Sequence, residues 1–254
     1  MKIALIQLDA NDNLWSREEM PRLLALAETA DLIVFPECMP FFTAIPIKEA
    51  EAALAQLSRQ TGKAAFIAGG YVLEDQIERN AVFLSFGGKI INRYFKRLPW
   101  QEPKIAPGGE TANFNWDGKS CIPLICADAA DNPSPTGTRM MYEAIRQGAG
   151  AEVPIVVSSY GALLEMTYWP IALQAWATGC GAPVIICGVS GKGDPFTEDG
   201  VTGHFGGGGS GVFWPDGSPP IQHEKRGIYF VDTNSKDGTL KFQPIDLPRC
   251  PPFC

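Results

Sequence analysis

The sequence predicts an α/β protein, and three observations carry that prediction. Apolar runs of four to six residues alternate with amphipathic stretches of helical spacing. The strand-sized runs are rich in Ile, Val and Leu and stop at Gly or Pro. The last third changes to glycine-punctuated short runs, the pattern of an antiparallel section that closes a sheet.

Taken in order, Ile3 to Leu8 reads as a buried strand. Ser16-Arg17-Glu18-Glu19 offers a helix start with acidic residues in the first turn, and Leu23, Leu24, Leu26 and Ala27 supply its apolar face as far as Thr29. Leu32 to Phe35 is the next strand, and Pro36 takes the chain out of regular pairing, which leaves Glu37 at a strand's C-terminal end. Ile47 to Thr61 has helical spacing and stops at Gly62; Ala64 to Ala68 is strand-like and runs into Gly69-Gly70. Ala81 to Phe86 and Ile90 to Phe95 flank Gly87-Gly88 as a hairpin, with Lys96 just beyond. Cys121 to Ile125 is a short strand ended by Cys126. Thr136 to Gln147 and Trp169 to Thr178 are expected helices, and Val153 to Val157 and Pro183 to Cys187 are expected strands. Phe205-Gly-Gly-Gly-Gly-Ser210 lacks the Lys-Ser/Thr and the strand-to-helix setting of a phosphate loop, so it reads as a flexible or tightly turned loop. Gly211 to Trp214 and Gly227 to Asp232 look like the closing strands. No linker divides the 254 residues, so one domain over 1–254 is expected.

Composition excludes several functions. A formal net charge of −7 opposes standing attraction to nucleic acid or anionic lipid, and no apolar run approaches the ~20 residues of a membrane-spanning helix. The opening Met1 to Asp9 turns acidic too early for a secretory signal, so a cytoplasmic setting is expected. Seven cysteines and two histidines, without a Cys-x-x-Cys, argue for reduced thiols and against a zinc site or other resident metal. Cys250 and Cys254, in a Pro-rich tail, are the one pair placed to oxidise in air.

Three reactive residues share one placement. Glu37, Lys96 and Cys126 each follow an apolar strand, and strand C-terminal ends converge at one edge of an α/β sheet. The combination makes chemical sense: a carboxylate takes a thiol's proton, and an ammonium steadies the resulting negative charge and then a tetrahedral oxyanion. With no histidine near these strand ends, Glu37 is the more plausible base. Singly, each has an ordinary reading as a loop carboxylate, a solvated lysine beside Arg97, or one of several buried thiols.

These residues and their surroundings, Asp31-Leu-Ile-Val-Phe-Pro-Glu37, Tyr94-Phe-Lys-Arg-Leu-Pro99 and Leu124-Ile-Cys-Ala-Asp128, together with Asn80, resemble the nitrilase superfamily of carbon–nitrogen hydrolases in order and spacing. The resemblance spans nearly the whole chain. It implies a four-layer α-β-β-α sandwich, no cofactor, and roles for Glu37 as general base, Lys96 as oxyanion stabiliser and Cys126 as nucleophile. It further implies a second glutamate at Glu102 and an oxyanion-hole amide at Ala127. The implied reaction is hydrolysis of a small amide through a thioester with release of ammonia, and nitrile or N-carbamoyl hydrolysis is the alternative within the family. A non-catalytic protein that kept the fold is the alternative outside it.

The chain departs from the family in informative places. Asp131 stands near the position of an arginine that suits anionic substrates, which favours neutral or cationic amides. Cys126-Ala127-Asp128 replaces the Cys-Trp-Glu of nitrile-hydrolysing members. The segment between Glu37 and Ile47 is short, which leaves the pocket either open or roofed by Phe41, Phe42 and a neighbouring subunit. Tyr160, Glu165, Tyr168 and Trp169 are candidate pocket residues, with a core role equally open to Trp169 and Glu165 suited to a cationic substrate end. Members commonly dimerise through helices that match Thr136 to Gln147 and Trp169 to Thr178, so a homodimer or larger homo-oligomer is expected. An activated Cys126 is expected to alkylate at lower pH than the other thiols, whereas Cys38, Cys121, Cys180 and Cys187 show no activating partner in the sequence.

Overall fold

A computed structural model describes residues 1–10, 19–100, 102–130, 135–160, 168–198, 201–235 and 241–246. Its first half alternates as the sequence predicts: β1 (Lys2–Gln7), α1 (Met20–Leu26), β2 (Leu32–Val34), β3 (Pro40–Pro46), α2 (Ile47–Ser58) and β4 (Ala65–Glu74). Two antiparallel strands follow, β5 (Ile77–Phe86) and β6 (Lys89–Phe95), and then a short hairpin of β7 (Phe114–Trp116) and β8 (Lys119–Ile125). The second half runs α3 (Ala127–Ala130), α4 (Pro135–Arg146), β9 (Ile155–Ser158), α5 (Tyr168–Cys180) and β10 (Val184–Cys187). It closes with a ribbon of β11 (Lys192–Glu198) and β12 (Val201–Gly206), and then β13 (Ser210–Phe213), β14 (Ile221–His223), β15 (Gly227–Asp232) and β16 (Lys241–Gln243).

These strands build two main sheets. One has the order β16-β15-β1-β2-β4-β5-β6, with β3 also paired to β4; the other has the order β14-β13-β10-β9-β8-β7. Strand alternation sets their relation. In β1, Ile3 and Leu5 join a buried cluster with Ile122, Leu124, Val156 and Ile185 of the second sheet, while Ala4 and Ile6 join a separate cluster with Leu23 and Leu24 of α1 and Leu54 of α2. Trp169, Leu173 and Trp176 of α5 and Met140 of α4 close the far side of the second sheet. The sheets therefore lie face to face with helices outside, the layering expected of the fold class. The parallel strands β2 and β10 are buried on both faces, which is why the runs at Leu32 to Val34 and Val184 to Cys187 read as continuous apolar stretches.

Several boundaries move from their expected positions. The helix start at Ser16 to Glu18 lies outside the described residues, and α1 ends at Leu26, short of Thr29. β4 runs through Gly69-Gly70 where the sequence suggests a stop. A side chain at Gly69 would sit 1.9 Å from the Ala81 carbonyl oxygen of β5, so glycine there keeps the ladder close. The short segment after Glu37 is a strand, β3, parallel to β4; it buries Phe41 and exposes Phe42 and Thr43. Gly206 to Gly209 all have positive φ, which favours the tightly turned of the two expected loop readings. The two expected closing strands part company: β13 completes the second sheet and β15 the first. No helix among the described residues is long and apolar enough to cross a membrane.

Candidate active site

Glu37 follows β2, Lys96 follows β6 and Cys126 follows β8, and the fold brings all three together out of solvent. The Lys96 ammonium donates to Glu37 Oε1 at 2.7 Å and to Glu102 Oε2 at 2.5 Å. Asn80 Nδ2 donates to Glu37 Oε1 at 2.8 Å and to Glu102 Oε1 at 3.0 Å, and the Tyr71 hydroxyl adds a bond to Glu102 Oε1 at 2.9 Å. The backbone N–H of Tyr160 donates to Glu37 Oε2 at 3.2 Å. Two carboxylates are thus cross-braced around one lysine, the arrangement that makes buried charge tolerable.

Local backbone makes this convergence possible. Cys38 and Cys126, one beside Glu37 and one at the end of β8, have φ values of 64° and 43°. A non-glycine residue held in that region costs of order 1 kcal/mol, and each turns the chain sharply where a reactive side chain must point inward. At Cys126 the turn is held by its own N–H on the Ser158 carbonyl at 2.8 Å and by the Ala129 N–H on the Cys126 carbonyl at 2.9 Å.

The electrostatics assign protonation states. Burial pulls the Lys96 ammonium down, but Glu37 and Glu102 outweigh it and hold its pKa well above the ordinary lysine value. Burial, together with the Glu37 carboxylate, pushes the Cys126 thiol up to about 12, against the opposing pull of Lys96 and a hydrogen bond with Ser159. The thiol also hydrogen-bonds Glu37. At neutral pH the resting site therefore holds a cationic lysine and a protonated thiol on the carboxylate that can accept its proton.

The other expected site residues fall out as follows. Glu102 lies in the cluster. Ala127 begins α3 directly after Cys126, and Tyr160 stands beside Glu37 with its ring edge-on to Phe42 at 5.7 Å. Asp131 and Glu165 lie outside the described residues, as do Cys250 and Cys254. Trp169 is a core residue at 2% exposure, while Tyr168 is on the surface. Phe41, expected in the roof, is buried in the core beneath β3.

Three participants went unread in the sequence. Tyr71 follows Gly69-Gly70 in β4 opposite Asn80, and nothing in its surroundings suggests a bond to Glu102 across the sheet. Cys38, given no partner from the sequence, is hydrogen-bonded to Tyr71; burial and then the Glu37 charge raise its pKa well above normal. Asp128, read only as part of a motif, is fully buried and accepts bonds from the Tyr94 hydroxyl and three backbone N–H groups. No group of three or more His, Cys, Asp and Glu suited to a metal is found among the described residues.

No family model and no curated protein matches the sequence. Solved structures do match the fold. A mutant of the amidase from Nesterenkonia sp. AN1, showing Michael addition of acrylamide at its active-site cysteine, is 23% identical with a TM-score of 0.70, covering 91% of this chain and 92% of that one. A cysteine-to-serine mutant of that amidase, described as from the nitrilase superfamily, has a TM-score of 0.71 at 23% identity, with 91% of each chain covered. Nit3 of Saccharomyces cerevisiae, a member of branch 10 of the nitrilase superfamily, is 17% identical with a TM-score of 0.71, covering 91% of this chain and 89% of that one. Over nine-tenths of its length, the chain has the fold of these nitrilase-superfamily structures.

Proposed function

We propose that this chain is a nitrilase-superfamily carbon–nitrogen hydrolase that cleaves a small amide through Cys126. The observation that carries the reading is the buried Glu37–Lys96–Glu102 cluster set against the Cys126 thiol. A purely structural role gives no reason to bury two carboxylates, a lysine and a thiol in one hydrogen-bonded group when apolar packing holds a core at least as well. The solved amidases of the same fold, one carrying an adduct at its active-site cysteine, support the assignment.

The mechanism follows from the protonation states. The thiol is neutral at rest, so Glu37 removes its proton as sulfur attacks the amide carbonyl. The negative charge that develops on the carbonyl oxygen is met by the Lys96 ammonium and the Ala127 N–H. Glu37 then delivers its proton to the leaving nitrogen, ammonia departs, and a thioester to Cys126 remains. Water activated by Glu37 attacks the thioester, giving the carboxylic acid and restoring the thiol. Glu102 keeps Lys96 charged and in place throughout. Tyr160 and Phe42 form one wall for the acyl group. Asp131 and Glu165 are the proposed determinants of a neutral or cationic substrate.

The test is ammonia release by the purified protein from aliphatic amides, ω-amides, N-carbamoyl compounds, amino-bearing amides and nitriles, with Cys126→Ala as control. Cys126-dependent ammonia from the amides alone supports the reading. Carbon dioxide accompanying it moves the reaction to the carbamoyl class, and silence across the panel returns the chain to a non-catalytic role. Assembly is proposed through α4 and α5, which touch each other and expose Tyr142 and Ile171, at 67% and 70%, beside Ile145 and Tyr168. Such an apolar face suits a second copy of the chain. Ile171→Asp is expected to shift the sedimentation coefficient to the monomer value, and an unchanged coefficient rejects this face.

A further inference from the structure

The Asp128 carboxylate has no solvent exposure, and four donors converge on it. Oδ1 accepts the backbone N–H of Arg97 at 3.0 Å and of Leu98 at 2.9 Å; Oδ2 accepts the Tyr94 hydroxyl at 2.9 Å and the Ile125 N–H at 3.2 Å. Tyr94, Arg97 and Leu98 bracket Lys96 on one side, and Ile125 precedes Cys126 on the other. The main-chain bonds of Lys96 and Cys126 themselves run elsewhere: Lys96 bonds to Asn80 and Gly108, and Cys126 to Ser158 and Ala129. One carboxylate therefore ties the segment carrying the cation to the turn carrying the thiol.

We propose that Asp128 is a positioning residue that clamps the end of β6 to the turn after β8 and so fixes Lys96 and Glu37 against Cys126. The inference rests on the catalytic reading above and extends it to a residue that touches neither substrate nor nucleophile. Its energetics set it apart from an ordinary structural bond. Burial raises the Asp128 pKa from 3.8 to about 6, against Lys96, Tyr94 and the backbone donors, which pull it down. A carboxylate raised in this way favours the fold below its unfolded pKa and loses that contribution as pH rises through about 6, so its charge at neutral pH is a burden on stability. The groups acting on it are the Lys96 ammonium, the Tyr94 hydroxyl and the backbone N–H groups; behind Tyr94 stand Arg97 and Glu143 of α4, which salt-bridge each other.

The test uses the full-length protein and needs no substrate. The rate of Cys126 alkylation by iodoacetamide, read by peptide mass spectrometry from pH 5 to 8, reports whether thiol, base and cation are in register. Thermal unfolding is measured alongside. Asp128→Asn is expected to slow Cys126 alkylation by about tenfold or more while the melting temperature stays within about 5 °C of wild type. Tyr94→Phe, which removes one donor, is expected to slow it about threefold and to move the acid limb of the profile to higher pH, because a bond favouring ionised Asp128 is gone. An unchanged alkylation rate in Asp128→Asn overturns the proposal. Should that variant not fold, an unchanged rate and an unmoved acid limb in Tyr94→Phe overturn it equally. Glu37→Gln separates the two levels: if wild-type alkylation does not depend on Glu37, the catalytic reading fails and takes the clamp with it, whereas Glu37 dependence with Asp128 indifference defeats the clamp alone.

Discussion

Cys126 and Cys187 occupy comparable places and lead different lives. Each closes a central strand of the second sheet, each is buried, and burial raises both pKa values, to about 12 for Cys126 and higher for Cys187. Cys187 sits on the main-chain carbonyls of Ile6 and Val34, at 3.5 and 3.2 Å, with neutral oxygens as its neighbours. Cys126 faces Glu37 and Lys96. On the proposed reading, what sets Cys126 apart from Cys187 is the acceptor and cation beside it, since burial raises the pKa of both thiols.

The largest effect that sharpens this contrast comes from deleting each sulfur. Cys126→Ala is expected to lower ammonia release by at least about 10³-fold without changing the fold. Cys187→Ala is expected to leave turnover within about twofold and to cost about 1–2 kcal/mol of stability from the small cavity between the sheets. Urea melts and initial rates on both variants measure the two axes, and losses of equal size in turnover break the comparison.

Next comes the base. Glu37→Gln is expected to cost about 10²–10⁴-fold in turnover, the usual worth of a positioned proton acceptor. It is also expected to change the shape of the Cys126 alkylation profile. In the wild type, proton transfer to Glu37 within the step makes the rate rise shallowly between pH 7 and 9. In the variant, only the pre-formed thiolate reacts, so the rate climbs about tenfold per pH unit below the raised pKa. Cys187, with no exposure, should stay unlabelled in the folded protein over the same range. A steep wild-type profile identical to that of the variant removes Glu37 as the base.

The same contrast shows what the sequence could and could not convey. Glu37, Lys96 and Cys126 were legible because each ends an apolar run at a Pro, a charged pair or a sharp turn, and strand ends converge by topology. Trp169 was ambiguous between pocket and core, because an apolar aromatic on a helix reads the same either way until the helix face is known. β3 was not legible: Pro40 to Pro46 has a proline at each end and exposed Phe42 and Thr43, and it becomes a strand only because the β4 edge at Gly69 and Gly70 is open to it. Tyr71, Cys38 and Asp128 were hidden for a related reason. Their side-chain partners lie 31 to 34 residues away, and a hydroxyl or thiol carries no periodicity that announces such a bond.

A smaller effect probes the support behind the cation. Tyr71→Phe removes one of the three donors on Glu102, leaving Lys96 and Asn80. The expected loss is about 1 kcal/mol of transition-state stabilisation, roughly fivefold in kcat/KM. Because Tyr71 acts through Glu102 and Lys96, the loss is expected in kcat, with KM held. A change confined to KM would instead place Tyr71 against substrate.

The smallest effect at neutral pH is the one in which the two thiols should behave alike. Both folded-state pKa values are raised above the unfolded thiol value, so each contributes stability that is whole below about pH 9 and is lost as pH climbs toward the folded pKa, where the unfolded chain has released the proton and the folded chain has not. The sign makes alkaline solution destabilising by about 1.4 kcal/mol per pH unit for each buried thiol. Urea midpoints measured from pH 8 to 10.5 should therefore fall less steeply in Cys126→Ala and in Cys187→Ala than in wild type, by one proton each. A slope unchanged in Cys126→Ala alone would mean that its thiol titrates normally in the folded protein. Its reactivity would then owe more to Lys96 holding a thiolate than to Glu37 receiving a proton, and the order of events at the site would have to be reversed.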